Sequence, residues 1–214
     1  MKLYDYFRSS AAYRVRIALN LKGLAPERAF VHLRKNAQRE EGYLAMNPQG
    51  LVPALVTAGG AVLTQSLAII EYLDETHPAP PLLPDDAAAR ARVRGVALEI
   101  ACDIHPLDNL RVLRYLKNTL GVAEEQKDAW YKYWIDVGLE ALEIRLARDP
   151  ATGRYCHGDL PSIADICLVP QLANARRVAM DLAPYPTLLR IEAACLALPA
   201  FAAADPSRQP DAEA

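Results

Sequence analysis

The chain has 214 residues, of which 52% are apolar and 23% charged, and its formal net charge is −2. This length and apolar content support a core without metal ions or disulfides, in one large domain or two small ones. The nearly balanced charge argues against broad binding to nucleic acid or to an anionic membrane. The sequence has neither a membrane-spanning apolar run nor the layout of a signal peptide, so we expect a cytoplasmic protein.

The first 77 residues alternate between strand and helix patterns, which is typical of a small α/β domain. Serines mark the start of the first helix and a glycine marks its end. A Gly-Gly pair between two short apolar runs indicates a hairpin. The predicted segments, in chain order, are a strand at 2–6, a helix from Ser9 or Ser10 to Gly23, a strand at 27–33, a weakly helical stretch at 36–46, strands at 51–56 and 61–64, and a helix that opens at Gln65 and Ser66.

Residues 77–84 contain four prolines and form a stiff connector, which is the clearest domain boundary in the sequence. We therefore expect one domain at 1–79 and a second, built of helices, at 85–214. The predicted helices run from Asp85 or Asp86 to about Asn118 with a kink at Pro106, from 123 to 147, from a capping box at Ser162 and Asp165 to Arg177, and from 187 to 197.

The first candidate binding feature is Arg8-Ser9-Ser10, at a predicted strand-to-helix turn. A helix N-terminus offers free backbone N–H groups and a partial positive charge, which stabilise an anion such as a thiolate. A serine hydroxyl at this place can donate a further hydrogen bond. The alternative is plain capping of the helix by Ser9 or Ser10, which is a common use of serine.

Two further features suit other parts of a small peptide. Val52 precedes Pro53, which cannot donate to a sheet ladder, so the Val52 backbone is free to pair with an extended peptide. Gln65 and Ser66 open another helix, whose N–H groups suit a carboxylate. An edge-strand proline and an N-cap serine explain each feature when it is taken alone. In order, however, the three features predict a site for a small thiol peptide.

The cysteines carry no chemistry in this interpretation. They lack the C-x-x-C spacing of redox and zinc motifs, and no histidine pair completes a metal pattern. We expect buried thiols in a reducing compartment and no metal site. The four residues are Cys102, Cys156, Cys167 and Cys195.

These motifs resemble those of the zeta-class glutathione transferases, and the resemblance covers essentially the whole chain. It rests on YFRSSAAYRVRIAL at residues 6–19, Asn47-Pro48, Val52-Pro53, Gln65-Ser66, and DLAPYP at residues 181–186. The resemblance implies an α/β thioredoxin-like N-terminal domain, an all-α C-terminal domain, bound glutathione as cofactor and a homodimer. Many zeta enzymes have a cysteine where this chain has Ala11, so serine and the helix end must activate the glutathione sulfur.

The resemblance also implies roles for individual residues. Catalysis falls to Ser9, Ser10, Arg8 and Arg177, and either serine can donate to the sulfur. The substrate's carboxylates contact Arg8, Arg111 and Arg177, although whether Arg176 or Arg177 faces the cleft stays open. Glutathione contacts Ser10, Ala11, Gln38, Gln49, Val52, a cis Pro53, Gln65, Ser66, His105 and Asn109. The remaining arginines of the first helix, Arg14 and Arg16, are expected to be structural or solvated.

The reaction that the resemblance implies is the cis–trans isomerisation of maleylacetoacetate to fumarylacetoacetate, in tyrosine and phenylalanine breakdown. The substrate is a small dicarboxylate, and glutathione is regenerated in each cycle. The closest alternative is a maleylpyruvate isomerase of the gentisate pathway. A general glutathione transferase that conjugates electrophiles and a non-catalytic binding module are the other classes of function.

Overall fold

The computed structural model describes residues 1–213, which form two compact units. The first unit contains Met1–Pro81 together with the tail from Ala197, and the second contains Leu82–Leu196. The expected division assigned the whole of 85–214 to the helical domain, so the tail differs from that expectation. Its anchors explain the difference, because Asn20 of the first helix donates to the Ala200 carbonyl at 2.8 Å.

A four-stranded mixed sheet forms the middle of the first unit, with strand order β2-β1-β3-β4. Strand β1 pairs in parallel with β2 and antiparallel with β3, and β4 is antiparallel to β3. This is the thioredoxin-like α/β arrangement that the sequence motifs implied. The strands are β1 Lys2–Asp5, β2 Glu27–Phe30, β3 Ala54–Val56 and β4 Val62–Thr64, and the helices are α1 Ser10–Leu21, α2 Glu41–Met46, α3 Ser66–Thr76 and α10 Pro199–Ala203.

The third strand is shorter than the predicted 51–56 because of Pro53. Without an N–H group, this residue cannot enter the ladder, and the first paired residue is Ala54, opposite Tyr4 of β1. The peptide bond between Val52 and Pro53 is cis, as the resemblance implied. Val52 therefore lies in the loop immediately before β3. The start of β3 lies beside the carboxyl end of β1, from which the chain leads to α1.

The second unit is helical. Its core contains buried aliphatic residues of the long helix α7, such as Ile135, Leu139 and Leu142. Among residues 1–213, no helix has both the length and the apolar character needed to cross a bilayer. The helices are α4 Ala87–Leu98, α5 His105–Asp108, α6 Leu110–Asn118, α7 Glu124–Arg148, α8 Ile163–Arg177 and α9 Pro186–Leu196, with a π-helical segment at Glu99–Ile104.

The predicted helix to about Asn118 is wrong beyond Asp108. The helix widens into the π-helical segment immediately before Pro106, whose missing N–H disturbs the regular ladder. It then ends, because Asn109 adopts an extended conformation and its side-chain oxygen accepts the N–H of Arg111 at 3.1 Å. Asn109 is thus the N-cap of a new helix, α6.

The capping box of α8 is confirmed. The Asp165 carboxylate accepts the N–H and the hydroxyl of Ser162, both at 2.8 Å, and its other oxygen accepts the N–H of Cys156 at 2.8 Å. Asp165 is fully buried. Aspartate reaches back to the cap as effectively as the usual glutamate here, and it also fixes the preceding loop.

Close packing of α7 against the π-helical segment leads to a stability prediction. A Cβ placed on Gly138 would lie 2.3 Å from Cγ1 and Cδ1 of the buried Ile104. We expect Gly138→Ala to lower the free energy of unfolding by about 1–3 kcal/mol because of this overpacking. Urea unfolding followed by tryptophan fluorescence measures it. Gly42→Ala, in α2 with open space around it, is the control and should not destabilise; an unchanged midpoint for Gly138→Ala would contradict the prediction.

Candidate functional site

Ser9 caps helix α1 and can also donate a hydrogen bond to an anion. Its Oγ accepts the N–H of Ala12 at 3.2 Å, which uses a lone pair and leaves the hydroxyl hydrogen to donate. Capping and anion binding are therefore compatible uses of the same side chain. Ser10, the first helical residue, is buried, whereas Ser9 is half-buried and Arg8 is exposed. This difference in exposure makes Ser9 the better donor to a ligand at the helix end.

The N-terminus of α3 is the second candidate anion site. Its N-cap, Gln65, has φ of 68°, a conformation rare for a residue with a side chain, and its side chain does not cap the helix. Ser66, the first residue of α3, is buried, and its Oγ accepts from Arg14 Nη1 at 3.3 Å. The helix end thus combines free N–H groups with a guanidinium beneath them.

Arg14 itself is the unexpected residue of this site. It is 1% exposed, so it is not solvated, and its Nε and Nη2 have no hydrogen-bond partner in residues 1–213. A buried guanidinium with unpaired N–H groups is costly and strengthens the field that acts on a bound anion. Arg16, two residues further, forms a buried ion pair with Asp5 at 2.8 Å, which confirms its structural role.

The loop before β3 contacts the N-cap of α3. Gln65 Nε2 donates to Gln49 Oε1 at 3.1 Å, so the two exposed glutamines lie side by side. The Leu51 carbonyl accepts from the Tyr43 hydroxyl at 2.5 Å and from Asn47 Nδ2 at 2.8 Å. Burial raises the pKa of Tyr43 to about 12, so this phenol stays protonated as the donor. These bonds fix the chain immediately before Val52.

Gln38 has a buried acceptor without a partner. The residue lies in a 3-10 turn at Ala37–Arg39, and its Oε1 has no hydrogen-bond donor in the described chain. Its backbone carbonyl lies under Gly50, where a Cβ would be only 2.9 Å from the Gln38 oxygen. Gly50, with φ of 59°, is therefore required for this close approach. A ligand N–H is the simplest partner for such an oxygen.

Three of the protein's four thiols are unsuited to nucleophilic chemistry. Cys156, Cys167 and Cys195 are buried, and burial raises the pKa of both Cys156 and Cys195. The expectation that every cysteine is buried is wrong for Cys102, which is exposed on the π-helical segment. Within residues 1–213, no three His, Cys, Asp or Glu side chains converge as metal ligands.

In the second unit, His105 and Asn109 belong to one polar cluster. His105 Nε2 lies 3.2 Å from Asn109 Nδ2, and its Nδ1 lies 3.5 Å from Oδ1 of the buried Asp108. Gln171 of α8 donates from Nε2 to Asp108 Oδ2 at 3.0 Å. Asp108 and Gln171 were not predicted as site residues, although the i, i+3 spacing of His105 and Asp108 was a usable signal.

The two adjacent arginines at the end of α8 have different partners. Arg176 binds the buried carboxylate of Glu192 through both of its terminal nitrogens. Arg177 is exposed, and its Nη2 donates to the Tyr131 hydroxyl at 2.6 Å. The charge of Arg176 is thereby paired with a carboxylate, whereas Arg177 has no carboxylate partner in the described chain and has more donors left for a ligand. Arg111, at the start of α6, is exposed.

Within each unit the structure brings predicted residues together. In the first unit, the two helix ends and the loop between them hold Arg8, Ser9, Ser10, Ala11, Gln49, Val52, Pro53, Gln65 and Ser66, and Gln38 approaches the same loop through Gly50. In the second unit, His105 and Asn109 are in contact, but Asn109 is a helix cap rather than part of one long helix with Arg111. Arg14 and Tyr131 had no local sequence signal, because their partners are 52 and 46 residues away.

Comparison with known proteins defines the class of protein. Residues 8–76 match the family model described as glutathione S-transferase, N-terminal domain. A protein of Vibrio cholerae named probable maleylacetoacetate isomerase is 53% identical over 212 residues, which are 98% of this chain and 97% of that protein. Residues 8–76 of the first unit thus form a glutathione transferase N-terminal domain.

Comparison with solved structures identifies the class within the glutathione transferases. The holo structure of a maleylpyruvate isomerase, described as a bacterial glutathione transferase of the zeta class, superposes with a TM-score of 0.96 at 50% identity, covering 100% of both chains. A maleylacetoacetate isomerase of Methylobacterium extorquens AM1, with bound malonate and glutathione, has a TM-score of 0.98 at 47% identity, also covering both chains fully. The chain belongs to the zeta-class glutathione transferase family.

Proposed function

We propose that this chain is a glutathione-dependent cis–trans isomerase that converts maleylacetoacetate to fumarylacetoacetate. The observation that carries the proposal is the Ser9 hydroxyl at the end of α1, which keeps a donor for a thiolate while no cysteine is adjacent. A thiol ligand must then come from outside the chain. The similar structures with glutathione and a dicarboxylate support the choice of cofactor and of substrate class.

The residues of the first unit fit glutathione part by part. The tripeptide has a thiol, two peptide groups and two carboxylates. The α1 end suits the thiol, the unpaired Val52 backbone and the orphaned Gln38 oxygen suit peptide groups, and the α3 end above Arg14 suits the γ-glutamyl carboxylate. The fit explains why Arg14 and Gln38 have buried polar atoms without a partner in the described chain.

The proposed chemistry assigns simple tasks to the chain. Bound glutathione supplies a thiolate that adds reversibly to the cis double bond, so that the resulting single bond rotates before the thiolate leaves. The Ser9 hydroxyl donates a hydrogen bond to the sulfur and, with the α1 dipole, keeps the thiol ionised at neutral pH. Arg8, exposed beside Ser9, attracts the negative charge that develops on the adjacent carbonyl oxygen.

Arginines also explain the preference for an anionic substrate. A planar guanidinium binds a carboxylate through two parallel hydrogen bonds. Arg8 in the first unit and Arg111 and Arg177 in the second are exposed and are proposed to bind the substrate's carboxylates. The His105 and Asn109 cluster is proposed to contact glutathione. Maleylpyruvate is the close alternative substrate, because it is also a short anionic cis-enedione.

The proposal is tested by turnover of maleylacetoacetate, maleylpyruvate and a chlorinated aromatic electrophile, each with and without glutathione. We expect isomerisation only when glutathione is present, with no net loss of its thiol, and the highest kcat/KM for maleylacetoacetate. A higher kcat/KM for maleylpyruvate favours the gentisate pathway instead. Stoichiometric consumption of the thiol with every substrate would make the chain a conjugating transferase, and isomerisation without glutathione would contradict the proposal.

The proposed function extends to the chain's metabolic role, location and assembly. The chain acts in tyrosine and phenylalanine catabolism in the cytoplasm, and it forms a homodimer. The domain predicted at 1–79 binds glutathione, and the helical part of the domain predicted at 85–214, without the tail from Ala197, binds substrate. Exposed Leu98 and Val137, which line a groove between α4 and α7, support assembly because a partner subunit can cover them. Light scattering on the purified protein measures the oligomeric state directly.

A further inference from the structure

The turn that carries Arg8 is held by side chains from outside the turn. Within it, the Ser9 N–H donates to the Tyr6 carbonyl at 2.9 Å. At its start, the Tyr6 N–H donates to Oδ1 of the fully buried Asp5 at 2.7 Å. The turn has no regular sheet or helix partner of its own, so its geometry depends on these side-chain bonds.

Arg16 holds the carbonyl side of the turn. Its Nη1 donates to the Tyr6 carbonyl at 3.4 Å and to Asp5 Oδ1 at 2.8 Å, and its Nη2 donates to the Phe7 carbonyl at 3.1 Å. Its Nε donates to the Ala204 carbonyl at 3.0 Å. One buried guanidinium therefore connects the turn to the C-terminal tail.

The tail holds the amide side of the turn. Asp211 Oδ2 accepts the Phe7 N–H at 2.9 Å, across 204 residues of sequence. In the described chain this is the only hydrogen bond of the Asp211 carboxylate, because its Oδ1 is buried without a partner. A carboxylate that satisfies no other group is costly to bury, so this bond is its evident use.

Neighbouring contacts keep Asp211 in place. Gln209 accepts from Arg28 Nη1 at 2.8 Å, and Glu213 bonds with His32 at 2.5 Å. Ala212 packs against a small apolar cluster that contains Tyr6, Phe7, Val31, Tyr43 and Val52. The tail thus seals the cluster on which both the Arg8 turn and the Val52 loop rest.

We propose that Asp211 is a positioning residue and that the C-terminal tail is a strut that sets the geometry of Arg8 and Ser9. The inference rests on the proposed function for its catalytic consequence, but the structural part stands on the bonds alone. Both peptide groups that flank Phe7 are held from outside the turn, one by Asp211 and the other by Arg16. Releasing one of them lets Arg8 and the Ser9 cap shift relative to bound ligands.

The test compares three variants by hydrogen exchange of the Phe7, Arg8 and Ser9 amides in protein without glutathione, and by steady-state kinetics. For Asp211→Ala we expect exchange about tenfold faster in the turn, and kcat for isomerisation about tenfold lower because misplacement by a fraction of an ångström is costly. Glutathione affinity should change little. Asp211→Asn retains an acceptor oxygen and should restore most of both properties. Glu213→Ala, in the same tail but bonded to His32, is the matched control and should behave as the parent protein.

Unchanged exchange at Phe7 in Asp211→Ala overturns the proposal. An equal effect of Glu213→Ala also overturns it, because any change in the tail would then alter exchange and kcat as much as loss of the Asp211 bond does. If Asp211→Ala does not fold, Asp211→Asn and Asp211→Ser are compared instead. Only serine, which is too short to reach Phe7, should speed hydrogen exchange in the turn. If the parent protein has no isomerase activity, the proposed function fails while the exchange result still decides the role of Asp211.

Discussion

Ser9→Gly is expected to lower kcat for isomerisation about 100-fold, since one preorganised hydrogen-bond donor to a developing or bound anion contributes that much. Ser9 Oγ accepts from Ala12 and keeps its hydrogen for the proposed hydrogen bond to the sulfur. Glutathione affinity should change little, because the proposed peptide contacts at Val52, Gln65 and Ser66 are untouched. The measurements are steady-state kinetics, calorimetric binding and the thiolate absorbance of bound glutathione as pH is raised, in which the thiol pKa should rise.

Glycine is preferred to alanine here because it separates two effects of the same side chain. Glycine is an adequate N-cap that costs only a few tenths of a kcal/mol, whereas alanine costs about 1 kcal/mol. Ser9→Thr keeps a hydroxyl and should retain most activity. Ser10→Ala, at the adjacent buried position, is the matched control. A Ser9→Gly variant with nearly parental kcat, together with an inactive Ser10→Ala, would move the donor to Ser10.

The parts of the fold that could be predicted are those whose signals are local. Ser162 and Asp165 are three residues apart, and the capping box they predict is present. Pro53 cannot join a ladder, and the sheet begins at the next residue, Ala54. Such signals depend only on the backbone chemistry of a few consecutive residues, which tertiary contacts do not easily override.

The helix break after Asp108 is a feature that the position of Pro106 alone does not predict. A proline inside a helical pattern predicts a kink, but in the structure the helix widens into a π-helical segment immediately before Pro106 and ends at Asn109. Asparagine caps helices as readily as it occupies their surface positions. The Asn109 side chain therefore caps a new helix, α6, whose start cannot be predicted from apolar periodicity alone.

The remaining parts of the candidate site depend on distant partners. Arg14 lies under Ser66, which is 52 residues away, and Asp211 lies 204 residues from Phe7. The domain expected at 85–214 placed the tail with the helices. The attachment of the tail to the first unit depends on side-chain bonds, such as that between Arg28 and Gln209, which no periodic pattern encodes.

Arg177→Ala is expected to lower kcat/KM for maleylacetoacetate about 100-fold, mostly through KM, because a charge-assisted bidentate contact with a carboxylate is lost. Conjugation of an uncharged chlorinated aromatic should be unaffected. Arg177→Lys keeps the charge but not the planar fork, so it should recover only part of the loss. Steady-state kinetics with both substrates separates recognition of the carboxylate from general damage to the protein.

Arg176→Ala is the matched control, and its expected effect is of a different kind. It leaves the buried Glu192 carboxylate without its guanidinium partner, so the free energy of unfolding should fall by about 1–3 kcal/mol while KM stays near the parental value. Reversed results, with a raised KM for Arg176→Ala and a destabilised Arg177→Ala, would contradict the assignment. The proposed roles of the adjacent arginines differ because Glu192 neutralises one of them, whereas the only bond of Arg177 in the described chain is to a neutral tyrosine hydroxyl, which leaves its charge for the proposed contact with the substrate.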